Sequence, residues 1–127
     1  MAKNLYDYTI RIDKSGDTTI MNETGVLDKP ENSISYMLVG LISCAAITLK
    51  PILEKMKIDC DAVSVNGKLY MVDDTPRYSD RIECTVSLEN GPEMNDEMKE
   101  RLAELTKKYC SVSVTIAKNP KISLKLK

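Results

Sequence analysis

Histidine is absent from this chain, so its four cysteines, Cys44, Cys60, Cys84 and Cys110, are the side chains with the widest chemical reach. Without an imidazole no Ser–His or Cys–His dyad, histidine zinc site or imidazole proton shuttle is open to it. Thiol chemistry here would need a thiolate held by a cation or by the free N–H groups of a helix start. Cys44 sits in SCAAIT, and its helix neighbours Gly40, Leu41, Ile47 and Thr48 offer no positive charge. Burial alone would lift its pKa above the reference of about 8.5. Two roles stay open for it, a small core hydrophobe or a nucleophile in an apolar pocket, and spacing alone favours the first. The second requires a distant cation, for which Arg11, Arg77, Arg81 and Arg101 are the only arginines. Cys110 follows Lys107-Lys108-Tyr109 at an expected helix end. A short helix starting there would aim N–H groups at its sulfur.

The remaining polar groups read as structure. Cys60 and Cys84 fall in strand patterns, and no CxxC pair exists, so no metal site is expected. Asp73-Asp74 precedes Thr-Pro in a turn, and Asp59 and Asp61 flank Cys60 where a strand begins. Five scattered glycines make no phosphate-cradling loop, and no cofactor is expected. Lys118, Lys121, Lys125 and Lys127 form a basic tail with no interleaved aromatic, which suits a solvated edge better than a nucleic-acid arm.

The chain's 127 residues suffice for one domain, 1–127, with a core of its own. Apolar residues at 43% and charged residues at 29% are a globular balance and exclude disorder. With 18 basic against 19 acidic residues the net charge is −1, which argues against nucleic acid or an anionic membrane as partner. Residues 1–12 lack the charged-then-apolar layout of a secretory leader, so a reducing, cytoplasmic location is expected.

Several elements must position the thiols. LYDYTIRI (5–12) and TTIMNE (18–23), joined by Asp13-Lys-Ser-Gly16, predict an N-terminal hairpin. Residues 24–32 read as loop. From Ile34 to about Lys57 the pattern is helical, with Ser33 or Ser35 as cap and a kink at Pro51. Its first half is apolar nearly all round, so neighbours must cover most of its sides. A helix of that length is a rod of about 36 Å, and a second subunit is an economical way to cover it. Strands are expected at 61–72 and at 77–89; Asn66-Gly67 could be a tight hairpin turn or a glycine bulge within one long strand, and the bulge is preferred because a turn would leave a strand of only three or four residues. A second helix should run from after Pro92 to about Lys108, with Met94, Met98, Leu102, Leu105 and Tyr109 as its stripe. CSVSVTIA (110–117) is ambiguous between strand and helix, and PKISLKL (120–126) reads as an amphipathic edge strand.

Residues 35–49 (SYMLVGLISCAAITL) resemble the central-helix cysteine motif of the OsmC/Ohr family. Residues 108–115 (KYCSVSVT) resemble its second motif, in which a proline usually follows the cysteine. The order between them is similar too, with VSVNG in a strand and a Pro-aromatic pair at Pro76 and Tyr78; the resemblance covers roughly residues 20–127. It implies an α+β, OsmC-like fold: an intertwined homodimer whose long central helices pack against antiparallel sheets. It also implies that residues 110–117 begin helical. By resemblance, the activity is that of a thiol peroxidase in oxidative-stress defence. Cys44 would attack an organic hydroperoxide and become a sulfenic acid, Cys110 would close a disulfide with it, and an external dithiol would reopen that bond. Met37, Leu41 and Ile47 would wall the reacting thiol. Family peroxidases carry a glutamate upstream of the helix cysteine that orients an arginine from the N-terminal region. Here that stretch is Ile34-Ser35, the nearest carboxylate is Glu31, the hairpin loop carries Lys14, and Arg11 is the nearest arginine. The alternative is a non-peroxidase dimer that serves as a small-ligand-binding or thiol-redox module.

Overall fold

Alternation sets the first strand. Tyr6, Tyr8, Ile10 and Ile12 are buried while Asp7, Thr9 and Arg11 between them are not, so β1 (Leu5–Asp13) turns one face to the core. In the computed structural model, which describes residues 3–127, β2 (Thr18–Asn22) returns antiparallel to it. A short β3 (Gly25–Leu27) then pairs with β2, so part of the expected loop is strand. The long strands β4 (Ala62–Val72) and β5 (Tyr78–Glu89) complete one antiparallel sheet in the order β3-β2-β1-β4-β5. Its inner face carries Val63, Val65 and Leu69 beside the aromatic and aliphatic row of β1.

Helix α1 (Ser33–Lys55) lies across that face, with Leu38, Ile42, Leu49 and Leu53 buried against β1 and β4. Each such side chain contributes on the order of 1.5–3 kcal/mol relative to exposure. The cap is Asn32, not Ser33 or Ser35. Ser35 N–H donates to Asn32 Oδ1 at 3.1 Å, and Asn32 N–H donates to Ser35 Oγ at 2.9 Å. Asn32 wins because its amide also donates to Tyr6 OH at 2.9 Å, tying the helix start to β1. Pro51 lies within the helix on its exposed side.

Asn66-Gly67 is neither turn nor bulge. β4 runs straight through it, with Gly67 opposite Tyr8 on one side and Cys84 on the other; the one register shift falls at Tyr70/Met71. The glycine serves packing instead. A Cβ there would stand 2.6 Å from Ile42 Cγ2 and 2.8 Å from Leu38 Cδ1, so its absence lets α1 approach the sheet.

Asn95 caps α2 (Asp96–Tyr109), its side chain accepting the Met98 N–H at 2.8 Å. Leu102 is buried in the expected stripe, but Tyr109 is exposed because the chain leaves the helix beside it. Residues 111–117 form α3 (Ser111–Ala117). The expected edge strand at 120–126 is not formed. Ile122, Leu124 and Leu126 are 89%, 87% and 97% exposed, since alternation chooses a strand's face but cannot provide an edge to pair with. By length and composition α1 could cross a membrane, yet its inner side is core.

Candidate active site

The middle of one helix and the junction of two others bring the site together. Cys44 sits midway along α1, on the side not pressed to the sheet, half-buried. Cys110 is at once the C-cap of α2 and the N-cap of α3, with extended backbone (φ −75°, ψ 105°) and 1% exposure. Its N–H donates to Thr106 O at 2.9 Å, and its carbonyl accepts the Val114 N–H at 3.0 Å. One extended residue thus ends one helix and starts the next, leaving the first N–H groups of α3 free of helical partners.

Those groups face Cys44. Burial works to raise the Cys44 pKa, but the Val112 N–H, the Cys110 thiol and the hydroxyls of Ser111 and Thr48 together outweigh it and hold the thiol down at about 7. Ser111 Oγ lies 3.7 Å from Cys44 Sγ and Thr48 Oγ1 lies 4.0 Å from it. Every group that lowers the value donates a hydrogen bond to the thiolate, and none is a cation. Cys110 moves the other way. Burial pushes it up, and the negative charge at Cys44 adds to that despite help from the Ser113 and Val112 N–H groups. Of the two, Cys44 is therefore the one that ionises first, while Cys110 keeps its proton.

The sequence pointed to helix N–H groups beside Cys110; their main effect falls instead on Cys44. Val112, Ser111 and Thr48 were not singled out as thiolate donors. The start of a short helix directly after a cysteine was the available signal, and only the fold could show which sulfur it meets.

Arg11 is not brought to the thiols. It lies on the sheet face turned away from α1, with Nε 2.9 Å from Glu89 Oε2 and Nη2 3.1 Å from Oε1. Lys14 pairs with Asp59 and Asp61 at 3.4 and 3.5 Å, and Arg77 donates to Lys3 O and Asn4 Oδ1. Arg81 stacks on Tyr70 at 3.8 Å. Glu31 accepts from Lys3 Nζ at 2.9 Å and Tyr8 OH at 3.0 Å.

Beyond Cys110 an apolar cavity of about 430 Å³ opens between β5 and the α2–α3 corner, walled by Leu41, Val65, Ile82, Cys84 and Val86. Of the side chains expected to wall Cys44, Leu41 faces this cavity, whereas Met37 and Ile47 are exposed on the outer side of α1. Cys60 borders a separate cavity of about 310 Å³ with Lys14, Lys50, Asp59 and Asp61. Burial and the adjacent Asp59 raise its pKa.

The comparison with curated proteins finds no match. Among solved structures, an OsmC-like hydroperoxide resistance protein from Jannaschia sp. CCS1 is similar, with a TM-score of 0.65 at 16% identity over 98% of this chain and 95% of that one. An OsmC-like protein from Mycoplasma pneumoniae has a TM-score of 0.57 at 16% identity, covering 92% of this chain and 89% of its own. An OsmC-like protein of unknown function from Vibrio cholerae O1 biovar eltor has a TM-score of 0.53 at 10% identity, over 91% and 94%. At these identities the likeness is one of fold. The OsmC-like protein family model matches residues 28–125, a span that holds both cysteines of the site, and the chain belongs to that family.

Proposed function

We propose that this protein is a cytoplasmic, homodimeric thiol peroxidase that reduces organic hydroperoxides through Cys44 and Cys110. One observation carries the reading: Ser111, the residue after Cys110, places its hydroxyl 3.7 Å from Cys44 Sγ, so the α2–α3 corner brings the second cysteine to the first, whose pKa is held down at about 7. The Cys44 thiolate attacks the terminal peroxide oxygen. The O–O bond breaks, and the alkoxide takes the Cys110 proton and leaves as an alcohol. Cys44 is now a sulfenic acid and Cys110 a thiolate. Cys110 attacks the Cys44 sulfur, and the departing hydroxide takes a proton from solvent to leave as water, closing a disulfide that an external dithiol reduces. No metal or cofactor enters these steps.

The dimer rests on unpaired apolar surface. Tyr36, Met37 and Ile47 stand exposed along the outer side of α1, the same side that presents Cys44. A second copy covers this face and shields the thiol from water.

Steady-state consumption of cumene hydroperoxide with dithiothreitol tests the reading. Cys44→Ser should abolish turnover. Cys110→Ser should leave a sulfenic acid at Cys44 that dimedone traps. Equal activity in wild type and Cys44→Ser would refute it. The cavity of about 430 Å³ favours a second reading, an apolar-ligand or thiol-redox module, because Cys110 lines it and Cys44 does not. That reading stands if cumene hydroperoxide is not consumed.

A further inference from the structure

The cavity behind Cys110 holds a third thiol. In the β4–β5 ladder Cys84 lies opposite Gly67, between the pairs Val65–Val86 and Leu69–Ile82, so it shares the sheet face that meets the helices. Cys84 and Cys110 line the same cavity. Cys110 therefore stands between the other two thiols, with Cys44 on the α1 side and the cavity with Cys84 on the other. The charge of Cys110 reaches Cys84: burial raises the Cys84 pKa first, and the negative charge of Cys110 adds to it. The three sulfurs differ in access. Cys110 is almost wholly enclosed, whereas Cys84 is exposed on an edge strand.

We propose that Cys84 is a second resolving thiol, which takes over Cys110 from the Cys44–Cys110 disulfide and carries the oxidised pair to the protein surface. This rests on the Cys44–Cys110 disulfide of the proposed peroxidase cycle. The Cys84 thiolate attacks Cys110 Sγ, the Cys84–Cys110 bond forms and the Cys44–Cys110 bond breaks. Cys84 is oxidised, Cys44 is reduced and departs as a thiolate, and the Cys84 proton passes to solvent. An external dithiol then attacks the exposed Cys84 sulfur. The direction follows from the leaving group, because exchange runs faster and further toward release of the more stabilised thiolate, and Cys44 is the stabilised one. A disulfide needs Cα atoms within about 4.4–6.8 Å. Among the described residues β5 has no neighbouring strand on its outer side, and Cys110 is the corner between two helices, so the relay requires a local shift of one or both to reach that distance.

The test generates the disulfide without peroxide. Reduced full-length protein is oxidised with one equivalent of diamide, quenched in acid at increasing times, alkylated and mapped as non-reduced peptides. The expected record is a Cys44–Cys110 peptide that declines as a Cys84–Cys110 peptide grows and Cys44 returns as an alkylatable thiol. Cys84→Ser should stop at Cys44–Cys110, and Cys60→Ser should exchange as the wild type does. A Cys44–Cys110 bond that persists in the wild type as it does in Cys84→Ser would overturn the relay. Repeating the series with cumene hydroperoxide separates the two ideas. Exchange after diamide but no disulfide after peroxide keeps the relay and removes the peroxidase. A lasting Cys44–Cys110 disulfide after both oxidants does the reverse.

Discussion

Ser111 Oγ at the start of α3 stands 3.7 Å from Cys44 Sγ on α1, and this contact brings the two cysteine motifs of the chain together. It also supplies what the helix around Cys44 lacks. No cation lies within a turn of the thiol along its helix, and what lowers its pKa is a peptide N–H, two hydroxyls and the Cys110 thiol. Such dipoles act fully only where water is excluded.

The first consequence is a pH profile. A lowered thiol pKa places the thiolate above that value and the inert thiol below it. The iodoacetamide alkylation rate at Cys44 should rise through a midpoint of about 7. Cys60 and Cys84, both raised by burial, should respond only above the ordinary thiol range. A Cys44 midpoint no lower than theirs would contradict the hydrogen-bonded thiolate.

Ser111 contributes one of the donors. A hydrogen bond to a charged group is worth about 1.5–3 kcal/mol at good geometry. At 3.7 Å this one is longer, and Ser111→Ala should raise the Cys44 midpoint by roughly half to one pKa unit. Thr48→Val should move it less, since its oxygen stands at 4.0 Å. Alkylation profiles of both variants measure this, and an unchanged midpoint in each would leave the Val112 N–H and Cys110 as the donors that count.

Gly67 is a packing residue. Gly67→Ala would press a methyl against Ile42 and Leu38 and should cost about 1–3 kcal/mol in urea unfolding. Trimming the clash with Ile42→Val in the same chain should return part of that loss. Additive destabilisation of the two changes would show that the contact is not the cause.

Arg11 belongs to the outer face of the sheet. Its pair with Glu89 is exposed and screened by solvent, so Arg11→Gln should change stability little and leave the Cys44 alkylation midpoint where it is. An upward shift of that midpoint would place the guanidinium at the thiol.

The outer side of α1 supplies a test of assembly. Ile47 is 62% exposed, and a charge there is incompatible with an apolar interface. Light scattering of Ile47→Glu should report a smaller mass than wild type; equal masses would mean that the interface lies elsewhere.

Much of the fold was legible because it rests on period. The alternation Tyr6-Tyr8-Ile10-Ile12 gave β1, and the apolar run from Tyr36 to Leu49 gave α1. The elements that escaped depend on partners far along the chain. β3 exists because β2 offers it an edge, and Asn32 is the cap because Tyr6 stands beside it. Gly67 looked like a local backbone signal, yet its reason is the α1 side chains above it. The cysteine pairing came from a resemblance, whereas the means of holding Cys44 as a thiolate was hidden. Periodicity left residues 110–117 undecided, and a helix start in them points at whatever sulfur the fold brings near.

The most direct test is a peptide map of the reduced protein after one equivalent of cumene hydroperoxide, with hydrogen peroxide in parallel. The account predicts rapid loss of two hydrogens from the intact mass and a first cross-link between the peptides of Cys44 and Cys110, faster with the organic peroxide. Slow, scattered oxidation, with Cys44 reacting no faster than Cys60, would contradict it.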